Sequence, residues 1–164
     1  MIAQVIATVG GVGYLRPGPG TWGSAVALPL AWALHQLGGF PLLLLSAVVV
    51  FAAGWWATGQ VTAGQADHDP SEVVIDEVVG QWIALAPLSY AAWDRGIEVL
   101  VMWPGWIAAF ALFRLFDIWK PWWVGAADRR GDALGVMLDD VVAGVFAAVG
   151  VLALAALAHG VLMA

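Results

Sequence analysis

Residues 113–144, FRLFDIWKPWWVGAADRRGDALGVMLDDVVAG, hold four of the six basic residues of this chain and five of its twelve acids. An apolar helix leads into the stretch and another leads out. Only 11% of the 164 residues are charged and 62% are hydrophobic. A soluble domain carries about 25% charged residues. A chain this apolar cannot cover a water-facing surface. The expected class is therefore all-α: an integral membrane helical bundle forming a single domain over residues 1–164. Charges packed between two lipid-compatible helices need a chemical reason. Binding of a divalent metal and a phosphate supplies one.

Composition removes several classes of function. The chain has no cysteine, which excludes disulfides, thiolate metal sites and a Cys nucleophile. Its net charge of -6 argues against nucleic acid as a partner. The 11 tryptophans suit a bilayer interface. The opening MIAQVIATVGGVG lacks the basic leader and long apolar run of a secretory signal, so internal segments are expected to direct insertion. Gly10, Gly11 and Gly13 do not make a dinucleotide fingerprint, because the third glycine and the βαβ context are missing.

The pattern predicts about five apolar helices. The first, over residues 22–36, is short for a span or kinked at Pro29, with Thr21 or Ser24 as its cap. The second, over 41–61, pairs with it antiparallel across a turn at 37–40. The polar loop 62–71 feeds a third helix over 72–92, with Asp69 and Ser71 at its start and Asp76 and Glu77 in its first turns. A fourth runs over 97–116, with Pro104 kinking it or shifting its start. Pro121 ends any helix that reaches it. A fifth begins near Ala133 and carries Asp139 and Asp140 early. The third and fifth echo each other: IDEVVG (75–80) and LDDVVA (138–143) each place an acid pair before two valines and a small residue.

With five spans and the N-terminus inside, Arg16, Arg114, Lys120, Arg129 and Arg130 fall on the cytoplasmic side and Arg95 alone falls outside, as the positive-inside rule asks. The same parity brings the loop 18–24, the region from Asp67 to Glu77, Asp117 and the Asp139–Asp140 pair to the cytoplasmic boundary. The acids played no part in choosing that orientation, so their convergence supports a single site there.

An acid deep in a bilayer costs about 2.5–3.5 kcal/mol on insertion scales. Close carboxylates also oppose one another's ionisation. A divalent cation relieves both penalties for Asp76, Glu77, Asp117, Asp139 and Asp140. Oxygen ligands without sulfur point to a hard ion: Mg²⁺ first, Mn²⁺ second, zinc disfavoured by the scarcity of histidine. Asp76, Glu77, Asp139 and Asp140 are the candidate metal ligands. Neighbouring residues diverge by about 100° on a helix, so one of each pair would bind the ion and the other a water, a second ion or a base. Gly80 and Gly144 lie one turn further on and would let helices approach closely. Arg114 and Lys120, each three residues from Asp117, would bind phosphate, and helix N-termini would add N–H donors.

Each feature has a plainer reading. Arg129 and Arg130 serve as topology signals, and Trp119, Trp122 and Trp123 as interfacial anchors. His35, His68 and His159 stand alone, and Asp94 and Glu98 are solvated at the outer turn. Thr21 and Ser24 are caps or packing hydroxyls as readily as substrate contacts. Ion pairing with Arg114 and Lys120 would leave five acids incompletely matched.

The segments GPGTWGS (18–24), DPS followed by DEVVG (69–80), FRLFDIWKP (113–121) and MLDDVVAG (137–144) resemble, in order and over nearly the whole chain, the phosphatidylglycerophosphatase A family. The resemblance implies a Mg²⁺-dependent lipid phosphatase of the bacterial inner membrane. Such an enzyme converts phosphatidylglycerophosphate to phosphatidylglycerol in phospholipid biosynthesis, at the cytoplasmic face. Asp76, Glu77, Asp117, Asp139, Asp140 and Lys120 match the family motifs and become the site candidates. Trp123 stands where the family commonly has a second proline, which touches loop shape more than chemistry. The alternative is a cation-coupled transporter using the same carboxylates. Its site would sit near the midplane on broken helices, whereas these acids open helices beside a basic, Trp-rich loop. A non-catalytic membrane subunit is a third reading.

Overall fold

The computed structural model describes residues 1–65 and 69–162, and among these every regular element is helical. The chain opens with α1 (Ile2–Ala7) and a 3₁₀ turn at Val12–Tyr14. It continues through α2 (Pro19–Thr62), α3 (Ile75–Arg95), a second 3₁₀ turn at Val99–Met102, α4 (Trp103–Trp119), α5 (Trp123–Asp128) and α6 (Ala133–Leu162).

Helix α2 is two antiparallel arms. Helical geometry fails at Gly38 and Gly39, the latter with φ +65°. Gly23 and Gly54, one on each arm, lie against Val74 and Ile75 at the start of α3, while Gly39 lies against Trp93 near its end. The chain therefore reverses at Gly39. That position needs glycine twice over, for its positive φ and because a Cβ would collide with the Trp93 indole. The first arm begins at Pro19, three residues earlier than the sequence suggests, and stays helical through Pro29. At 1.5 Å per residue its 19 residues reach about 28 Å, enough for a span. Neither Thr21 nor Ser24 caps it: Gly18 holds the N-cap position and no side chain bonds there.

The next boundaries shift for local reasons. Helix α3 starts at Ile75 behind Val74, so Asp69 and Ser71 do not begin it. Ser71 instead accepts a hydrogen bond from Arg16 at 3.2 Å. Gly96, left-handed at φ +62°, ends α3 and donates its N–H to the last turn. Pro104 falls in the first turn of α4, which starts at Trp103, because a first-turn N–H has no intrahelical partner to lose. Asp132 caps α6, its Oδ1 accepting from the Gly135 N–H at 2.7 Å. The short helices α1 and α5 carry too few residues for a periodic signal.

Among the described residues, three helices are long and apolar enough to cross a membrane: Pro19–Thr62, Val99–Trp119 and Ala133–Gly160. Counting both arms of α2 and adding α3 gives the five expected apolar segments. Helix α3 is the hub, packed on α2, α4 and α6. Its Val78, Trp82 and Leu85 join Phe113, Ala143 and Ala147 in the core. Large apolar side chains such as Leu45, Val48, Ile107 and Leu152 stay exposed on the outside, as lipid-facing residues would.

Helices α3 and α6 run parallel and touch at Gly80 and Gly144. A Cβ on Gly144 would strike the Gly80 carbonyl, and one on Gly80 would strike Phe113 and the Asp140 carbonyl. Helix α4 runs the other way, with Gly105 against Leu88 and Phe113 against Gly80. The acidic ends of α3 and α6 therefore share one end of the bundle, with the C-terminal end of α4.

Candidate active site

The glycine contact between α3 and α6 sets the geometry. Asp76 and Asp140 each stand four residues before one of the touching glycines. The contact consequently draws the first turns of two helices, distant in sequence, into one place. Asp76, Glu77 and Asp140 each offer an oxygen within 4.8 Å of the others. Asp76 and Asp140 are buried, 6% and 2% exposed. Asp117 lies beside Asp140, close enough for a carboxyl–carboxyl hydrogen bond.

Helix α4 supplies the bases from the opposite direction. Arg114 pairs with Asp117 through Nη1 and Oδ2 at 2.5 Å, and its Nη1 lies 3.9 Å from Glu77 Oε1. The same nitrogen donates to Ser24 Oγ at 3.4 Å, and Ser24 donates to the Gly20 carbonyl at 2.9 Å. The first turn of α2 thus lies directly over Glu77. A side chain on Gly20 would collide with the Glu77 carboxylate. Lys120 donates to Asp139 Oδ2 at 2.8 Å and pairs also with Asp128. Burial works against the charge on Lys120, but the hydrogen bonds and attraction of Asp128 and Asp139 outweigh it. They hold the lysine pKa above its ordinary value.

Two features bear on whether a cation fits. Glu77 Oε2 and Asp140 Oδ2 are buried and have no hydrogen-bond partner. An unpaired buried carboxylate oxygen costs roughly 1–3 kcal/mol or more. Arg114 and Lys120 do pair with acids, but chiefly with Asp117, Asp139 and Asp128. They leave the three-carboxylate cluster short of positive charge. Oxygen-only donors, closely spaced and partly unpartnered, fit a hard divalent ion.

Of the residues singled out from sequence, Asp76, Glu77, Asp140, Asp117, Arg114, Ser24, Asp139 and Lys120 gather here. Among the four expected metal ligands Asp139 differs, because Lys120 engages it. Thr21 is exposed on the first turn of α2, beside Gly18. Asp67 and His68 lie outside the described residues. His35 bonds Ser89 at 2.8 Å, and His159 bonds the Ala155 carbonyl. Neither reaches the acids.

Sequence reasoning missed three contributors. Asp69 lies near enough for its charge to act on Asp76 and Asp139. Asp128 anchors Lys120. Gly20 makes room for Glu77. The DPS segment was a usable signal for Asp69 and the GPGTWGS segment for Gly20; nothing local marked Asp128.

The sequence matches the family described as Phosphatidylglycerophosphatase A over residues 5–155. The chain belongs to this family. Similar proteins agree with the placement. It is 36% identical to Phosphatidylglycerophosphatase A of Haemophilus influenzae over 88% of this chain and 83% of the relative. It is 35% identical to the Escherichia coli protein of that name, over 79% and 70%. A Bacteroides thetaiotaomicron protein, provisionally named a phosphatidylinositol-3-phosphatase, is 41% identical over 87% and 86%. No solved structure matches. As a phosphatidylglycerophosphatase A family member the chain is an enzyme, a phosphatase. All four motifs quoted above fall inside the matched region.

Proposed function

We propose that this enzyme removes the terminal phosphate of phosphatidylglycerophosphate in a Mg²⁺-dependent reaction. It would yield phosphatidylglycerol and phosphate during phospholipid biosynthesis in a bacterial inner membrane, with the site facing the cytoplasm. The observation that carries the reading is the buried cluster of Asp76, Glu77 and Asp140 with two unpartnered oxygens, flanked by Arg114 and Lys120. Membership of the family supports the substrate. The orientation rests on the loop charges: Arg16, Arg114, Lys120, Arg129 and Arg130 lie toward the site end, and Arg95 closes α3 at the other.

Asp76, Glu77 and Asp140 would hold the ion. Bound there, Mg²⁺ supplies positive charge to the phosphoryl oxygens and lowers the pKa of a water. Lys120, with its side chain 31% exposed at the rim, meets the incoming phosphate first. Arg114 is held by Asp117 and Ser24, so its guanidinium is oriented before substrate arrives. Fixed charges of this kind balance the equatorial oxygens without reorganising, and this accounts for most of the rate in phosphoryl transfer. A carboxylate bordering the cluster, Asp139 or Asp117, takes the proton of the attacking water. Trp119, Trp122 and Trp123 are exposed beside Lys120 and seat the rim at the headgroup level.

The deciding experiment is phosphate release from phosphatidylglycerophosphate in mixed micelles, with Mg²⁺ and with chelator. Phosphatidylinositol-3-phosphate is assayed in parallel, given the name of the Bacteroides relative. Release from phosphatidylglycerophosphate that chelator abolishes is expected. Release indifferent to chelator removes the metal, and preference for the inositol lipid removes the substrate. Ion flux in liposomes without phosphate release would favour a transporter instead.

A further inference from the structure

Gln81 has no part in the reaction outlined above, yet it is 0% exposed and neither its Oε1 nor its Nε2 has a hydrogen-bond partner. Leucine or methionine would fill that volume without burying unpaired polar atoms. Among the described residues, buried unpartnered side-chain atoms belong to Thr58, Glu77, Gln81, Arg114 and Asp140. Three of those five already line the site, and Gln81 stands one helical turn beyond Glu77. It stands four residues after Glu77, so the two share a helix face. Side chains on a helix lean toward its N-terminus, which carries the Gln81 carboxamide over the turn that bears Glu77. Its chain neighbour Gly80 touches the Asp140 carbonyl.

We infer that Gln81 is a positioning residue of the site: its carboxamide holds a water in the outer sphere of the divalent ion carried by Asp76, Glu77 and Asp140. The inference rests on the metal-dependent reading above. A carboxamide suits the role because it donates and accepts without adding charge to a cluster already rich in carboxylates. A water held there would give the Gln81 amide the partner that no protein group supplies. Outer-sphere groups orient ligands and tune affinity without touching the metal.

The test uses the purified full-length protein in detergent. Thermal unfolding is followed in EDTA and over a Mg²⁺ titration, and phosphate release is measured over the same titration. In EDTA, Gln81→Leu should unfold at or above the wild-type temperature, since it removes unpaired polar atoms. Its Mg²⁺-induced rise in Tm should shrink, and its half-maximal Mg²⁺ concentration should increase about ten- to a hundredfold. Gln81→Met, close to glutamine in shape but without the amide, should lose the Mg²⁺ response as Gln81→Leu does. Ser89→Ala, remote on α3, should lower Tm without moving the Mg²⁺ midpoint.

An unchanged Mg²⁺ midpoint in Gln81→Leu overturns the inference. So does a variant that fails to fold in EDTA, because the amide would then be structural. A wild-type protein that ignores Mg²⁺ in both readouts brings down the proposed reaction itself, and the inference with it.

Discussion

At the scale of single residues, the site depends on which carboxylates have partners. Asp139 and Asp140 are adjacent in sequence and opposite in circumstance. Lys120 satisfies Asp139, whereas Asp140 keeps a buried oxygen with none. Asp140→Asn should consequently reduce phosphate release by about a hundredfold or more and abolish the Mg²⁺-dependent rise in Tm. The variant should still insert in the membrane, which fractionation would check. Lys120→Met has a different signature. It strands the buried Asp139 charge, and the loss should be about 1–2 kcal/mol once discounted for the partial exposure of the lysine. Lys120→Met with Asp139→Asn should regain that stability in a denaturation series but not the activity. The acid pairs themselves were legible in the sequence, since ionised residues at the start of apolar helices are too costly to be idle. Their division of labour was not, because it follows from Lys120, nineteen residues away in the chain.

At the scale of elements, close approach decides the geometry. The contact of α3 and α6 at Gly80 and Gly144 leaves no space for a Cβ on either helix. Gly80→Val should separate the two helices and lose most phosphate release and Mg²⁺ response while far-UV circular dichroism stays helical. The same substitution at Gly160, which has open space around it, should do neither. The echo between IDEVVG and LDDVVA hinted at two helices with matched faces, and the crossing is the physical form of that hint. Helix boundaries were less legible. Pro19 begins α2 and Pro104 resets α4, each in a first turn where the missing N–H costs no hydrogen bond, whereas Pro29 and Pro87 sit inside their helices. Composition near Thr21 and Ser24 looked like a cap, but Ser24 serves Arg114 across the bundle instead.

At the scale of the whole molecule, a chain without cysteine permits a clean test of orientation. Arg129→Cys, between α5 and α6, and Arg95→Cys, at the end of α3, should label from opposite sides of sealed inner-membrane vesicles. The Arg129 position should react from the cytoplasmic side with an impermeant maleimide. Labelling of both from one face would remove the five-segment topology.

The sequence by itself determined that this chain is a helical membrane bundle, that its charge collects at one end, and that the acids there need a counter-charge. Those conclusions follow from hydropathy, segment parity and the cost of burying ions, which are all properties of short stretches. Only the tertiary structure decided that Asp76, Glu77 and Asp140 form the cluster, that Asp139 belongs to Lys120, and that Gln81 is buried with no partner from the protein. Those outcomes depend on how near two glycine-bearing helices come and on the direction from which α4 arrives. Spacing along one chain carries no record of either.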